Sequence, residues 1–106
     1  MAKYLVTVSY TAAGAAGLRK DGGTKRRGVA AKAVESVGGK METFYFSFGA
    51  QDAIVIADIP DNVSAAALSL AINASGGARV NTTPLLTAED MDKASGKKTA
   101  YKAPGS

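Results

Sequence analysis

The chain predicts one α+β domain, with four strands and two helices following one another as β-α-β-β-α-β. Three observations carry that expectation. Apolar and polar residues alternate at a period of two in separate short segments, the spacing of half-buried strands. Two segments with helical spacing each end on a glycine pair, Gly38-Gly39 and Gly76-Gly77, where a left-handed C-terminus is sterically free. At 106 residues, with 46% hydrophobic and 21% charged content, the chain has the composition of a single globular core.

In chain order, Lys3 to Tyr10 reads as a strand, with Tyr4, Val6, Val8 and Tyr10 on one face and Leu5, Thr7 and Ser9 on the other. An alanine-rich stretch follows and is broken at Asp21-Gly22-Gly23. Thr24 is a fair N-cap for a helix running to about Val37, whose Val29, Ala30, Ala33, Val34 and Val37 share one face. Lys40 to Phe48 reads as the second strand, with Phe44, Phe46 and Phe48 opposite Thr43, Tyr45 and Ser47. A short glycine-containing connection then predicts an antiparallel hairpin to a third strand, Asp52 to Ala57. Pro60-Asp61-Asn62 is a turn, and Asp61 or Ser64 caps a helix to about Ala74 that presents Ala65, Leu68 and Ile72 inward. Arg79 to Leu86 is the fourth strand, and Pro84 assigns it to a sheet edge or a strand break. Ala88 to Ser95 reads as a short last helix before a solvated tail.

Four strands with both helices on one face form a ferredoxin-like arrangement. Its other face needs a cover, because the third strand carries Ile54 and Ile56 on one side and Val55 and Ala57 on the other. Burial of one large aliphatic side chain is worth roughly 1.5–3 kcal/mol, so a second subunit is expected over that face, with the C-terminal tail as the alternative cover. The expected partner is therefore the chain itself, as a dimer or higher homo-oligomer.

Composition also closes off chemistries. The chain has neither cysteine nor histidine, which excludes disulfides, thiolate nucleophiles, Ser-His-Asp catalysis and the commonest transition-metal ligands. No cofactor and no metal are expected. No apolar run approaches the ~20 residues that span a bilayer, and the N-terminus leads straight into a strand, so a cytoplasmic location is expected. The net charge is +4, concentrated between Arg19 and Lys32, where Arg19, Lys20, Lys25, Arg26, Arg27 and Lys32 face Asp21 alone. Such a patch suits a small anionic molecule, a partner surface or nucleic acid, and charge alone does not order the three. Nucleic acid is not expected, because no matched RNP motif accompanies Phe44, Phe46 and Phe48.

Three candidate sites follow. Thr7, Ser9, Thr43, Tyr45 and Ser47 offer hydroxyls on one sheet face, where they could line a ligand cleft against a second subunit or simply decorate strands. Asp52, with Tyr10 and Tyr45 as possible neighbours, could serve as a general base, or could accept backbone N–H groups in the hairpin. Gly22-Gly23 followed by Lys25, Arg26 and Arg27 joins free backbone N–H groups, a helix N-terminus and cations, a combination that suits a phosphate or carboxylate. The GxxxxGK[ST] spacing of nucleotide hydrolases is absent. Cations at a helix N-terminus oppose the macrodipole, which favours a compensating anion; a plain solvated face is the alternative.

Tyr4-Leu5-Val6-Thr7-Val8-Ser9-Tyr10-Thr11, Gly22-Gly23-Thr24-Lys25-Arg26-Arg27, Val34-Glu35-Ser36-Val37-Gly38-Gly39-Lys40, Gly49 with Asp52, and Asp58-Ile59-Pro60-Asp61-Asn62-Val63-Ser64-Ala65 together resemble the GYD-domain family of small bacterial and archaeal proteins. The family is named for a Gly, Tyr and Asp at the hairpin; Gly49 and Asp52 match, while Gln51 stands before the aspartate in place of the tyrosine. The resemblance implies a domain over residues 1–88, with 89–106 as a short helix and tail. It also implies kinship with dimeric α+β barrels, in which two ferredoxin-like sheets face each other around a cleft. Activity does not travel with such a fold. The expectation is an uncharacterised oligomer that binds a small anionic ligand at an intersubunit cleft, with a cofactor-free enzyme using Asp52 and a tyrosine, or a structural assembly protein, as alternatives.

Overall fold

The computed structural model describes all residues from Met1 to Ser106. Its elements are β1 (Ala2–Tyr10), α1 (Ala12–Asp21), α2 (Gly23–Ser36), β2 (Lys40–Phe46), β3 (Ala53–Ile59), α3 (Asn62–Ser75), β4 (Ala78–Leu85) and α4 (Ala88–Ser95). The four strands make one sheet in the order β2-β3-β1-β4, with every neighbouring pair antiparallel. This is an α+β fold with four helices, where the sequence pattern anticipated two and a short C-terminal one.

The two-residue period decides which side chains are buried. Tyr4 and Val6 of β1, Val55, Ala57 and Ile59 of β3, and Val80 of β4 meet Val34 of α2 and Ala65 and Leu68 of α3 in one core. Val8, Val37, Met41, Phe44 and Ile72 pack around it. Ile59 is the largest fully buried side chain. No polar side chain is fully buried, and the Tyr4 hydroxyl, which enters the core edge, donates to Asn62 Oδ1 at 2.5 Å. Pro84 sits on β4, which lies at the sheet edge, so its missing N–H interrupts no ladder on the outer side.

Both glycine stops hold: Gly38 and Gly76 take φ of 81° and 79°. Asp61 caps α3 by accepting from the Ser64 N–H at 2.8 Å. That bond holds the Asp61 carboxyl below the usual carboxylate range.

Three expectations are corrected. The alanine-rich stretch after β1 is a helix of its own, α1, whose N-cap Thr11 accepts from the Gly14 N–H. Thr24 is not a cap, because Gly22, at φ 86°, turns the chain and α2 already begins at Gly23 with no side-chain cap. The second strand ends at Phe46: Phe46 pairs with Ala53 as the last step of the ladder, and Phe48 lies fully exposed in the turn rather than on the Phe44 face.

The other sheet face has no cover from within the chain. It carries Leu5 and Thr7 of β1, Ile54 and Ile56 of β3, and Thr43 and Tyr45 of β2, in register with one another. Ile54 is 38% exposed and Tyr45 70%. At one end, Lys3 Nζ bridges Glu42 at 2.8 Å and Asp58 at 3.1 Å, which joins three strands. The tail does not fold back over this face, for every residue from Leu86 to Ser106 is exposed. The chain is correspondingly long, 56 × 32 × 22 Å, with a radius of gyration of 16.8 Å, against about 13 Å for a compact domain near this length.

Two outcomes follow for stability. Ile59→Ala lowers the free energy of unfolding in urea by roughly 2–5 kcal/mol, since it empties a site that is closed on all sides. The Asp61 cap is fully formed above the ordinary carboxylate range and is lost as pH falls through the depressed folded value. Asp61→Asn keeps the cap geometry without the titration. Its melting temperature should therefore fall less steeply than that of the parent below about pH 4, and identical slopes would remove the cap from the acid response.

Candidate functional site

The helix side of the sheet, not its open side, contains a half-open cavity. The end of β1 delivers Tyr10 to the core face, half-buried. The chain then turns directly into α1, and this turn is fastened to the one between α3 and β4. Thr11 N–H donates to the Gly77 carbonyl at 3.1 Å, and the Thr11 hydroxyl donates to the Gly76 carbonyl at 2.8 Å. Gly14 is required by that approach, since a Cβ there would fall 1.8 Å from the Gly77 oxygen. The break at Gly22 then sends α2 back across the sheet. Between α1, α2 and α3 it leaves a cavity of about 350 Å³ whose walls include Tyr10, Gly17, Leu18, Arg26, Ala71 and Ile72.

Beneath this chamber lies a smaller one of about 90 Å³, walled by the sheet and α2 and sharing Tyr10, Arg26, Ala33, Leu68, Ile72 and Ala78 with the first. Arg26 is the single wall residue of the inner chamber that is neither aliphatic nor aromatic. Val29, which the helical spacing assigned to the core face, is 42% exposed and stands at this inner chamber.

The cluster Lys25, Arg26 and Arg27 is dispersed by the helical turn. Lys25 faces Asp21 at 3.6 Å. Arg27 turns the other way, to a shallow depression with Gly23, Thr24, Phe44, Tyr45 and Phe46. Gly23 admits the Phe46 ring, which a Cβ would meet at 2.9 Å, while Gly22 makes the break and lines neither chamber. Arg26 alone turns to the cavity, and it takes part in none of the ion pairs of the chain. Beside it, burial pushes the Tyr10 phenol above its ordinary value; the Arg26 guanidinium pulls the other way, and the Asp52 charge adds to the rise. Tyr10 is therefore a protonated hydrogen-bond donor at neutral pH rather than a base.

Asp52 lies at the hairpin, where its carboxylate accepts from the Tyr10 backbone N–H at 2.8 Å and its own N–H donates to the Val8 carbonyl at 2.7 Å. It thus prolongs the pairing of β3 with β1. Tyr45 is on the open face, so the two phenols named with Asp52 lie on opposite sides of the sheet. Thr7, Ser9 and Thr43 share the open side with it. The Ser47 hydroxyl is spent within the turn, donating to the Gln51 carbonyl at 2.6 Å. No cluster of His, Cys, Asp and Glu capable of holding a metal is present, and no helix is long and apolar enough to cross a membrane.

The GYD domain model matches residues 4–95 of the chain, from the core tyrosine of β1 to the end of α4. The chain belongs to the GYD domain family. No curated protein and no solved structure matches it. In this GYD domain, Gly49 and Asp52 both fall in the β2–β3 hairpin, and the aspartate is the one of the two that ties the hairpin to the central strand.

Sequence reasoning found Tyr10 and Arg26 but had no means of joining them, and it missed Gly17, Leu18 and Ala71. One signal was present: two glycines three residues apart inside an alanine-rich helix. Each costs such a helix up to about 1 kcal/mol relative to alanine. Gly14 has a steric reason to be there; Gly17 has none, for a Cβ at Gly17 meets nothing within 4 Å. Gly17→Ala should therefore raise stability by up to about 1 kcal/mol in urea unfolding, whereas Gly14→Ala should lower it; a loss at Gly17 would mean that the cavity wall has no room for a Cβ there.

Proposed function

We propose that this GYD domain is a homo-oligomeric binding module for a small anion, built on a ferredoxin-like sheet. The observation that carries the reading is the guanidinium of Arg26, half-buried at a cavity and without a carboxylate partner. A half-buried cation without a counter-ion is an unfavourable arrangement that a bound anion relieves. The neutral phenol of Tyr10 beside it supplies a second donor. The strand order β2-β3-β1-β4, with α2 and α3 on one face, supports the ferredoxin-like assignment.

Self-association is the second part of the reading, and the open face supports it. Leu5, Ile54 and Ile56 form an apolar centre in register across two strands, and the ion pairs of Lys3 with Glu42 and Asp58 border it. Two such faces, packed about 10 Å apart, bury that centre and leave the charged end at the rim. Thr7, Ser9 and Thr43 then line the cleft between copies, while the anion is held on the helix side.

Native mass spectrometry of the gently purified protein tests both parts. The expected result is a multiple of the chain mass, reduced to the monomer by Ile54→Arg. In thermal-shift measurements across an anion panel, Arg26→Ala should abolish the stabilisation that the parent shows, and Arg27→Ala should retain it. A monomeric parent removes the sheet-to-sheet association; equal shifts in the parent and Arg26→Ala remove the anion site.

A further inference from the structure

The two chambers differ in chemistry, and the difference selects a ligand. The outer one is open and mixed, with Tyr10, Arg26, Asp21 and Ser75 among its walls. The carboxylate of Asp21 is turned to Lys25, so Arg26 is the one unpaired charge that an occupant meets. A single guanidinium, with an acidic side chain nearby, matches one negative charge and disfavours a phosphate monoester or a polyanion. Its planar fork also fits the two oxygens of a carboxylate. The inner chamber offers Val6, Val8, Val29, Phe44, Val55 and Val80 and no polar group apart from the Arg26 and Tyr10 it shares with the outer one. An apolar lining of this kind favours hydrocarbon over water. Other openings lack the combination. A groove of about 460 Å³ along α3 and β4 has no charged side chain, and the depression at Arg27 has no apolar chamber behind it.

We propose that the cavity binds an amphiphilic monoanion, a small apolar carboxylic acid, whose carboxylate pairs with Arg26 and accepts from the Tyr10 hydroxyl while its hydrocarbon end enters the chamber beneath α2. The proposal rests on the anion-binding reading above and adds to it the chemical class of the anion. The head group sits where the two chambers meet, because Arg26 and Tyr10 are walls of both. Gly17, Ala33 and Ala71 keep the outer chamber open by contributing little or no side chain. That gives Gly17 a purpose its steric surroundings do not.

Isothermal titration calorimetry with acetate, butanoate, hexanoate, 1-hexanol and inorganic phosphate tests it. Affinity should rise along the carboxylate series by about fourfold for each buried methylene, then level off when the inner chamber is full. Arg26→Leu should weaken hexanoate at least about tenfold, the loss of a charge-assisted pair. Gly17→Leu, whose Cβ meets nothing within 4 Å and whose remaining atoms extend into the cavity of about 350 Å³, should weaken hexanoate while the protein remains as stable as the parent or more so, which separates occupation of the cavity from damage to the fold. If acetate, phosphate and hexanoate bind alike and all depend on Arg26, the anion site stands and the apolar carboxylate is overturned. If 1-hexanol binds as well as hexanoate and Arg26→Leu changes nothing, both fall, and so they do if none of these compounds binds.

Discussion

The double pairing of β1 is the constraint on which the rest of the molecule depends. Residues 2–8 pair with β3 on one side and residues 3–10 with β4 on the other, so the first strand of the chain is fixed at the centre of the sheet. Its alternation then sets the sides: Tyr4, Val6 and Val8 toward the helices, Leu5 and Thr7 away from them. Its C-terminal end fixes the geometry of the candidate site too. Within two residues it presents the Tyr10 phenol to the helix side, gives the Tyr10 N–H to Asp52, and starts α1 from Thr11. Hairpin, cavity and first helix all meet at that one strand end.

The cavity is the product of a helical segment that could have been continuous and is not. Gly22 splits it at a positive φ, α1 is drawn to the Gly76-Gly77 turn, and α2 is left over the sheet. A well-filled core at this place would need larger residues than Gly17, Ala33 and Ala71. Leaving space there costs dispersion contacts and, at Gly17, helix propensity. The Arg26 guanidinium, half-buried without a counter-ion, adds a further unfavourable contribution. Three small penalties gathered at one place are what the proposed anion site would account for.

Much of this architecture was legible in the residues, and the gaps have physical causes. The strands could be read because apolar and hydroxyl residues alternate in Tyr4 to Tyr10 and from Thr43 onward, past the β-bulge between Met41 and Thr43. The end of β2 could not, because Phe48 continues the alternation past Phe46, where the ladder has no further partner; only the pairing with Ala53 shows where it stops. α1 escaped notice because alanine and glycine give its two sides no contrast, and helix propensity alone leaves no periodic signal. The site was half legible. Arg26 and Tyr10 each stood out by residue type, yet their meeting depends on a chain reversal at Gly22 that no local pattern encodes. The cations around Arg26 read as one group in the sequence, and the helix sends each in a different direction.

The central position of β1 also bears on how the molecule is made. β1 pairs only with residues 53–59 and 78–85, so it has no neighbour in the sheet until at least half of the domain has followed it. Closing such distant contacts is entropically slow, whereas the β2–β3 hairpin needs only a short loop. The hairpin is thus the most local pairing of the sheet, and β1 needs two partners that both lie far along the chain. Until both partners are present, the backbone N–H and C=O groups along its edges are open to any other unpaired strand. Domain exchange between nascent copies is thus the characteristic hazard of this topology.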